Sequence, residues 1–270
     1  MNIEQLHQQI ERSNNYLCVG LDPDVKKLPP HLLKEKDAWY IFLSEIIEQT
    51  LPYCVAYKPN TAFFENLGDY GWNLLSRIRA LIPDSHYCIA DAKRGDIGNT
   101  SFQYANHFLN TLGFDAITLS PYMGRDSIEP FWEFQDKAAV ILALTSNEGS
   151  NDFQRLTFEG KPLWEHVITA CTSWSKGRDI MFVCGATHPN DFIKIREVCP
   201  NQFLLIPGIG AQGGDLNTIS KLALVQGNRI LLNASRSIIY ASNDKTFASM
   251  AALEAKTISN HMKEIIQQYE

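Results

Sequence analysis

Short apolar runs and amphipathic stretches alternate along this chain about eight times. The apolar runs occupy 17–22, 54–60, 87–93, 116–122, 139–146, 180–187, 203–210 and 229–236. Each is too short for a helix, carries β-formers and closes on glycine, proline or a polar residue, which predicts buried parallel strands. Between them, helical spacing covers 39–50, 66–81, 101–112, 162–176, 191–198 and 216–225. A last helix is expected at about 245–268, and a first at about 3–12 with Ile3, Leu6 and Ile10 on one face. Strands alternating with helices imply a parallel sheet covered by helices, and eight such units close naturally into a (β/α)8, or TIM, barrel. A doubly wound open sheet is the alternative fold. No G-x-G-x-x-G follows the first run, which counts against a dinucleotide-binding version of it. Nothing in the sequence reads as a linker, so residues 1–270 are expected to form one barrel domain.

A barrel gives the polar ends of the runs a meaning, because catalytic groups in such folds come from the C-terminal ends of different strands. Here those ends carry Asp22, Lys58, Asp91 with Lys93, Thr145 with Ser146, Thr187 with His188, and Arg236. The densest is the third, YCIADAKRGDIGNT, where an apolar run ends in alternating charge. Asp91 and Lys93, two apart on a strand, point to one face, and Asp96 follows beyond Gly95. Solvated charges capping a strand are the plain reading of any one of them. Lys58 and Lys93 would flank Asp91, with Asp96 closing a Lys, Asp, Lys, Asp array that is neutral and can be packed closely. At the seventh unit, GIGAQGGD places Gly208, Gly210, Gly213 and Gly214 ahead of a helix, where backbone N–H groups suit an anion. A tight turn explains the glycines equally well. Arg236 at the end of the eighth run adds a planar cation, and together they favour a phosphorylated substrate.

Composition narrows the classes. A net charge of −6 argues against broad nucleic-acid or anionic-membrane binding. No apolar run approaches the ~18 residues of a membrane span, and the polar start MNIEQLHQQIERSNN lacks a signal peptide's apolar core, so a soluble cytoplasmic protein is expected. The six cysteines, Cys18, Cys54, Cys88, Cys171, Cys184 and Cys199, show no metal-ligand spacing and read as buried, reduced thiols.

The same residues carry a resemblance. DAKRGDIGNT resembles the D-x-K-x-x-D-I-x-x-T signature of the orotidine 5′-phosphate decarboxylase family, and PGIGAQGGD with SRSIIY resembles its phosphate-binding segments. VGLDPD, YKPNTAFFE and SPYMGRDSIEPF are similar to the longer bacterial branch, so the likeness runs from about residue 17 to 240. It implies loss of CO2 from orotidine 5′-phosphate to give UMP, without metal or organic cofactor. It further implies Lys93 as proton donor to C6 and Asp91 against the leaving carboxylate, with Lys58 and Asp96 completing the array. In a homodimer, Asp96 and Thr100 would serve the partner's site. Asp22 and Thr100 would hold ribose hydroxyls, Ser146 the pyrimidine, Gln212 base and phosphate, and Arg236 the phosphate.

Two other functions stay open at this stage. Sugar-phosphate lyases of the same superfamily share the D-x-K-x-x-D core but use Mg²⁺ and an acidic ligand at the second strand's end, where this chain has Lys58. A nucleotide-binding sensor would have no need of an aspartate against a substrate carboxylate. His188 reads as a cap or surface residue, Trp39, Trp72, Trp132, Trp164 and Trp174 as helix packing, and Lys26, Lys27, Lys34 and Lys36 as a solvated face. Arg125 in PYMGRDS reads as a surface cation sooner than as one that reaches the mouth.

Overall fold

The computed structural model describes residues 1–186, 189–208, 216–224, 227 and 229–268. Eight strands form its centre: β1 (Leu17–Leu21), β2 (Ala56–Pro59), β3 (Tyr87–Arg94), β4 (Ala116–Leu119), β5 (Ala138–Leu144), β6 (Ile180–Cys184), β7 (Phe203–Pro207) and β8 (Ile230–Ala234). They close in the order β1-β8-β7-β6-β5-β4-β3-β2, every pairing parallel. The barrel is therefore the fold, and the open-sheet alternative falls. Nearly every strand residue is buried, because one face fills the barrel and the other lies under helices; this is why the runs read as continuous rather than alternating. Most strands stop short of the run that predicted them. Among the described residues, Asp22, Asn60 and Ser146 at the run ends lie beyond the strands and line the mouth.

The longer helices among the described residues are α1 (Ile3–Ser13), α2 (Ala38–Thr50), α3 (Gly68–Leu81), α4 (Gly98–Ala105), α5 (Leu163–Ser175), α6 (Asp191–Val198), α7 (Leu216–Ala223) and α8 (Phe247–Gln267), with short helical turns at Thr61–Glu65, Ser150–Phe153 and Arg236–Ile239. α1 begins with a capping box, in which Asn2 and Gln5 satisfy each other's free N–H groups. It lies across the N-terminal ends of the strands: Glu4 pairs with Arg229 before β8, and the His7 ring meets Phe203 at the start of β7. Leu6 and Ile10 are fully buried there, each worth ~1.5–3 kcal/mol of transfer free energy. One end of the barrel is thus covered, and the opposite end is left for chemistry. α8 packs on α2 through the stacked rings of Phe42 and Phe247, 5.2 Å apart.

Two features differ from the sequence expectation. The helix predicted at 101–112 starts earlier, and after α4 it loosens into a π-helical turn, Asn106–Thr111, with Phe108 packed near Phe114. The loop after β5 contains a small antiparallel hairpin, Thr157–Phe158 with Lys161–Pro162, tied to α6 by the Arg155–Asp191 ion pair. Strands of two residues carry no periodicity to detect. All six cysteines are free and buried, as expected. Among the described residues no helix is long and apolar enough to cross a membrane.

Candidate active site

Asp91 is the centre of the open end. Its carboxylate leaves only 9% of the side chain exposed and is gripped from both sides: Lys58 Nζ donates to Oδ2 at 2.6 Å, and Lys93 Nζ donates to Oδ1 at 2.6 Å. Lys58, on β2, is also buried, at 6%, whereas Lys93 is 51% exposed. Burial opposes ionisation of Asp91, but the two ammonium charges overcome it and hold the carboxyl well below the usual carboxylate range. Burial likewise works against Lys58, and the charges of Asp91 and Asp22 overcome it, so its ammonium is held more firmly than an ordinary lysine's. The cluster is thus buried on the Lys58 side and open to solvent on the Lys93 side.

Local backbone makes this possible. β3 and β4 fall out of register after Ala90, and Lys93 adopts a left-handed backbone, φ 46°, uncommon for a residue with a side chain. Simple strand alternation, the basis of the sequence expectation for Asp91 and Lys93, is therefore not what aims the second ammonium; an irregularity in the ladder does. Thr118 of β4 sits at that irregularity, accepting the Lys93 N–H at 2.9 Å and donating to Asp91 Oδ1 at 3.0 Å. Arg94 turns away, to Glu65 and over the Tyr104 and Phe108 rings.

A cavity of about 170 Å³ opens over the cluster, bounded by Lys58 and Asp91 on one side and by Gly208, Ser235 and Arg236 on another. Asp22, Asn60, Ser146 and Asn233 complete its polar wall. Asp22 Oδ1 and Asn233 Oδ1 are buried acceptors with no partner, a pair of positions that asks for donors from a ligand. Tyr240 fixes the Asp22 loop: its hydroxyl donates to Asp22 O at 3.0 Å and accepts from Asp24 N–H at 2.5 Å. Two close approaches need glycine. A Cβ on Gly20 would lie 1.8 Å from Ser235 Oγ, and one on Gly185 would lie 2.5 Å from the Ser146 nitrogen. The Arg236 guanidinium is exposed and forms no ion pair among the described residues, so its charge is available to an anion.

Of the residues expected at the site, Asp22, Lys58, Asp91, Ser146 and Arg236 line the cavity, and Lys93 joins them through its ion pair with Asp91. Asp96 does not join them within one chain: its carboxylate accepts the Ile97 N–H and makes no ion pair among the described residues, so the array here has three members rather than four. Thr100 is exposed in the first turn of α4, away from the cavity lining. Arg125 pairs with Glu129 and does not reach the cavity. Thr187, His188, Gln212 and the glycines Gly210, Gly213 and Gly214 lie outside the described residues. Thr118, Asn60 and Asn233 were not singled out from sequence. Asn60 reads simply as the end of the second run, and a threonine inside a strand looks like any β-branched strand former. Among the described residues no three His, Cys, Asp or Glu side chains are grouped to hold a metal ion.

Residues 15–251 match the model of the orotidine 5′-phosphate decarboxylase / HUMPS family. The chain belongs to that family. A relative in Christiangramia forsetii named orotidine 5′-phosphate decarboxylase is 48% identical over 266 residues, covering 97% of each chain. One of the same name in Porphyromonas gingivalis is 48% identical over 268 residues, again covering 97% of both. The solved structure of Leishmania donovani OMP decarboxylase superposes with a TM-score of 0.79 at 36% identity, covering 96% of this chain and all of that one. Family membership makes the chain an enzyme, and the matching lengths fit the longer bacterial branch.

Proposed function

We propose that this protein removes CO2 from orotidine 5′-phosphate to give UMP, the closing step of de novo UMP synthesis, using side chains alone. The observation that carries this is an ionised aspartate clamped between two lysines under a cavity that has an exposed arginine on its far wall. Relatives bearing the decarboxylase name over 97% of their length support the choice of substrate.

The chemistry follows from charge. With the phosphate on Arg236 and a ribose hydroxyl on the free Oδ1 of Asp22, the orotate carboxylate is directed toward Asp91. Two like charges ~4 Å apart at an effective dielectric of about 20 repel by ~4 kcal/mol. The repulsion disappears as the C6–carboxylate bond breaks and CO2 leaves with its electron pair left on C6. Negative charge then grows beside the Lys93 ammonium, whose N–H bond breaks to deliver the proton to C6. Each ~1.4 kcal/mol gained this way is tenfold in rate. Lys58 keeps Asp91 ionised and aimed. Ser146 faces the pyrimidine, and Gln212 bridges base and phosphate. Asp96 and Thr100, standing apart in their own chain, serve the site of a second copy in a homodimer.

The metal-dependent lyase reading is disfavoured by Lys58, a buried cation at the position where such relatives need an acidic ligand. The test is the ultraviolet absorbance of orotidine 5′-phosphate mixed with purified protein in chelator. Prompt conversion to UMP is expected. Binding without conversion would indicate a sensor, and inertness relieved only by Mg²⁺ with a sugar phosphate would indicate the lyase.

A further inference from the structure

Thr118 is buried to 1% in the middle of an otherwise apolar strand, yet its hydroxyl is committed twice to the reacting cluster. Where β3 advances from Ala90 to Arg94, β4 advances only from Ile117 to Leu119, so the ladder cannot supply a carbonyl for every N–H of β3 in between. The Thr118 hydroxyl accepts the Lys93 N–H at 2.9 Å. Its single proton goes to Asp91 Oδ1 at 3.0 Å, the same oxygen that receives Lys93 Nζ at 2.6 Å. A hydroxyl is the smallest group that accepts from one and donates to the other.

We propose that Thr118 is a positioning residue for decarboxylation: one hydroxyl sets the rotation of the Asp91 carboxylate and the left-handed backbone of Lys93 together. Two consequences follow. Valine at 118 has the same shape but leaves the part-buried Lys93 N–H without its acceptor and frees Asp91 Oδ1 from its buried hydroxyl donor. The carboxylate then rotates about its remaining partners, and Lys93, half exposed and on a relaxed bulge, loses its line to C6. Displacements of about an ångström in reacting groups cost on the order of 100-fold in rate. Asp22 and Arg236, the residues assigned to ribose and phosphate, line the cavity and Thr118 does not, so nucleotide binding is expected to be unchanged.

This rests on the decarboxylase reading, and the experiment separates the two. Thr118→Val and Thr118→Ser are compared with wild type for orotidine 5′-phosphate turnover, with folded sites counted by UMP titration. Expected are a kcat per titrated site about 10- to 100-fold lower for Thr118→Val, KM and the UMP Kd within about threefold, and recovery to within about threefold of wild type in Thr118→Ser. If Thr118→Val does not fold, Thr118→Ala removes the same hydroxyl and carries the same expectation. A valine or alanine variant with wild-type kcat per site overturns the proposal, as does a serine variant no better than valine or a loss confined to UMP affinity. Wild-type protein that does not turn over the nucleotide overturns the decarboxylase reading itself.

Discussion

Replacing Asp91 by asparagine keeps the shape of the central side chain and removes its charge. In the folded protein Lys58 Nζ stands 2.6 Å from Asp91 Oδ2 with 6% and 9% of the two side chains exposed. At an effective dielectric of about 20 that separation corresponds to about 6 kcal/mol of attraction. The substituted amide would still offer one acceptor, and Asp22 remains in the neighbourhood of Lys58. The net loss should therefore approach the ~3–5 kcal/mol typical of a buried ion left without its partner. Catalysis suffers separately: without the ~4 kcal/mol of repulsion released as CO2 leaves, turnover should fall by about 10³-fold. Thermal unfolding with and without UMP gives the first quantity, and kcat per titrated site gives the second. A variant that melts no lower than wild type and keeps turnover within about tenfold would refute the reasoning, since both effects are assigned to one charge.

Other consequences follow from the same structure. Arg236→Ala should lower kcat/KM for orotidine 5′-phosphate by about 10- to 100-fold, the scale of a charge-assisted contact, and leave a phosphate-free orotidine almost unaffected; equal losses would remove Arg236 from the phosphate. Because folding depresses the Asp91 carboxyl below its unfolded value, its stabilisation is complete above the ordinary carboxylate range and is lost as pH falls toward the folded value. The stability gap between wild type and Asp91→Asn, measured by denaturant titration, should thus shrink on going from pH 7 to about pH 3; a constant gap would contradict the assignment. Burial pushes the thiols of Cys54, Cys171 and Cys199 up to about 12. A thiol-reactive dye should accordingly label none of the six cysteines in native protein and all six after denaturation. Mixing inactive Lys93→Ala and Asp96→Ala chains should restore about a quarter of wild-type activity, as random exchange within a two-chain site requires; no recovery would place Asp96 outside a shared site.

Much of the fold is legible in the sequence because strands buried on both faces leave continuous apolar runs, and the ends of those runs carry Asp22, Lys58, Asp91, Lys93, Ser146 and Arg236. Lys93 was identified with the wrong local cause. Period-two alternation suggests a shared face, but the left-handed backbone and the slipped register that deliver its ammonium depend on β4, a strand more than twenty residues away. Thr118 was missed for a related reason: its value lies in a contact across the ladder, and within AITL it is indistinguishable from a residue chosen for β-propensity. Asn233 was passed over because NASR reads as a strand end, and only three dimensions show its buried, unpartnered oxygen beside the cavity. The π-helical turn after α4 carries Phe108 against Trp72 and Phe114, a packing between elements that no local period announces.

The most direct measurement is the rate at which orotidine 5′-phosphate absorbance gives way to that of UMP, in chelator, for wild type beside Lys93→Ala. Rapid conversion by wild type and none by the variant, with both binding UMP, is the expected result. Conversion that persists without the Lys93 ammonium, or that appears only when Mg²⁺ is supplied, would contradict a reaction run by side-chain charge.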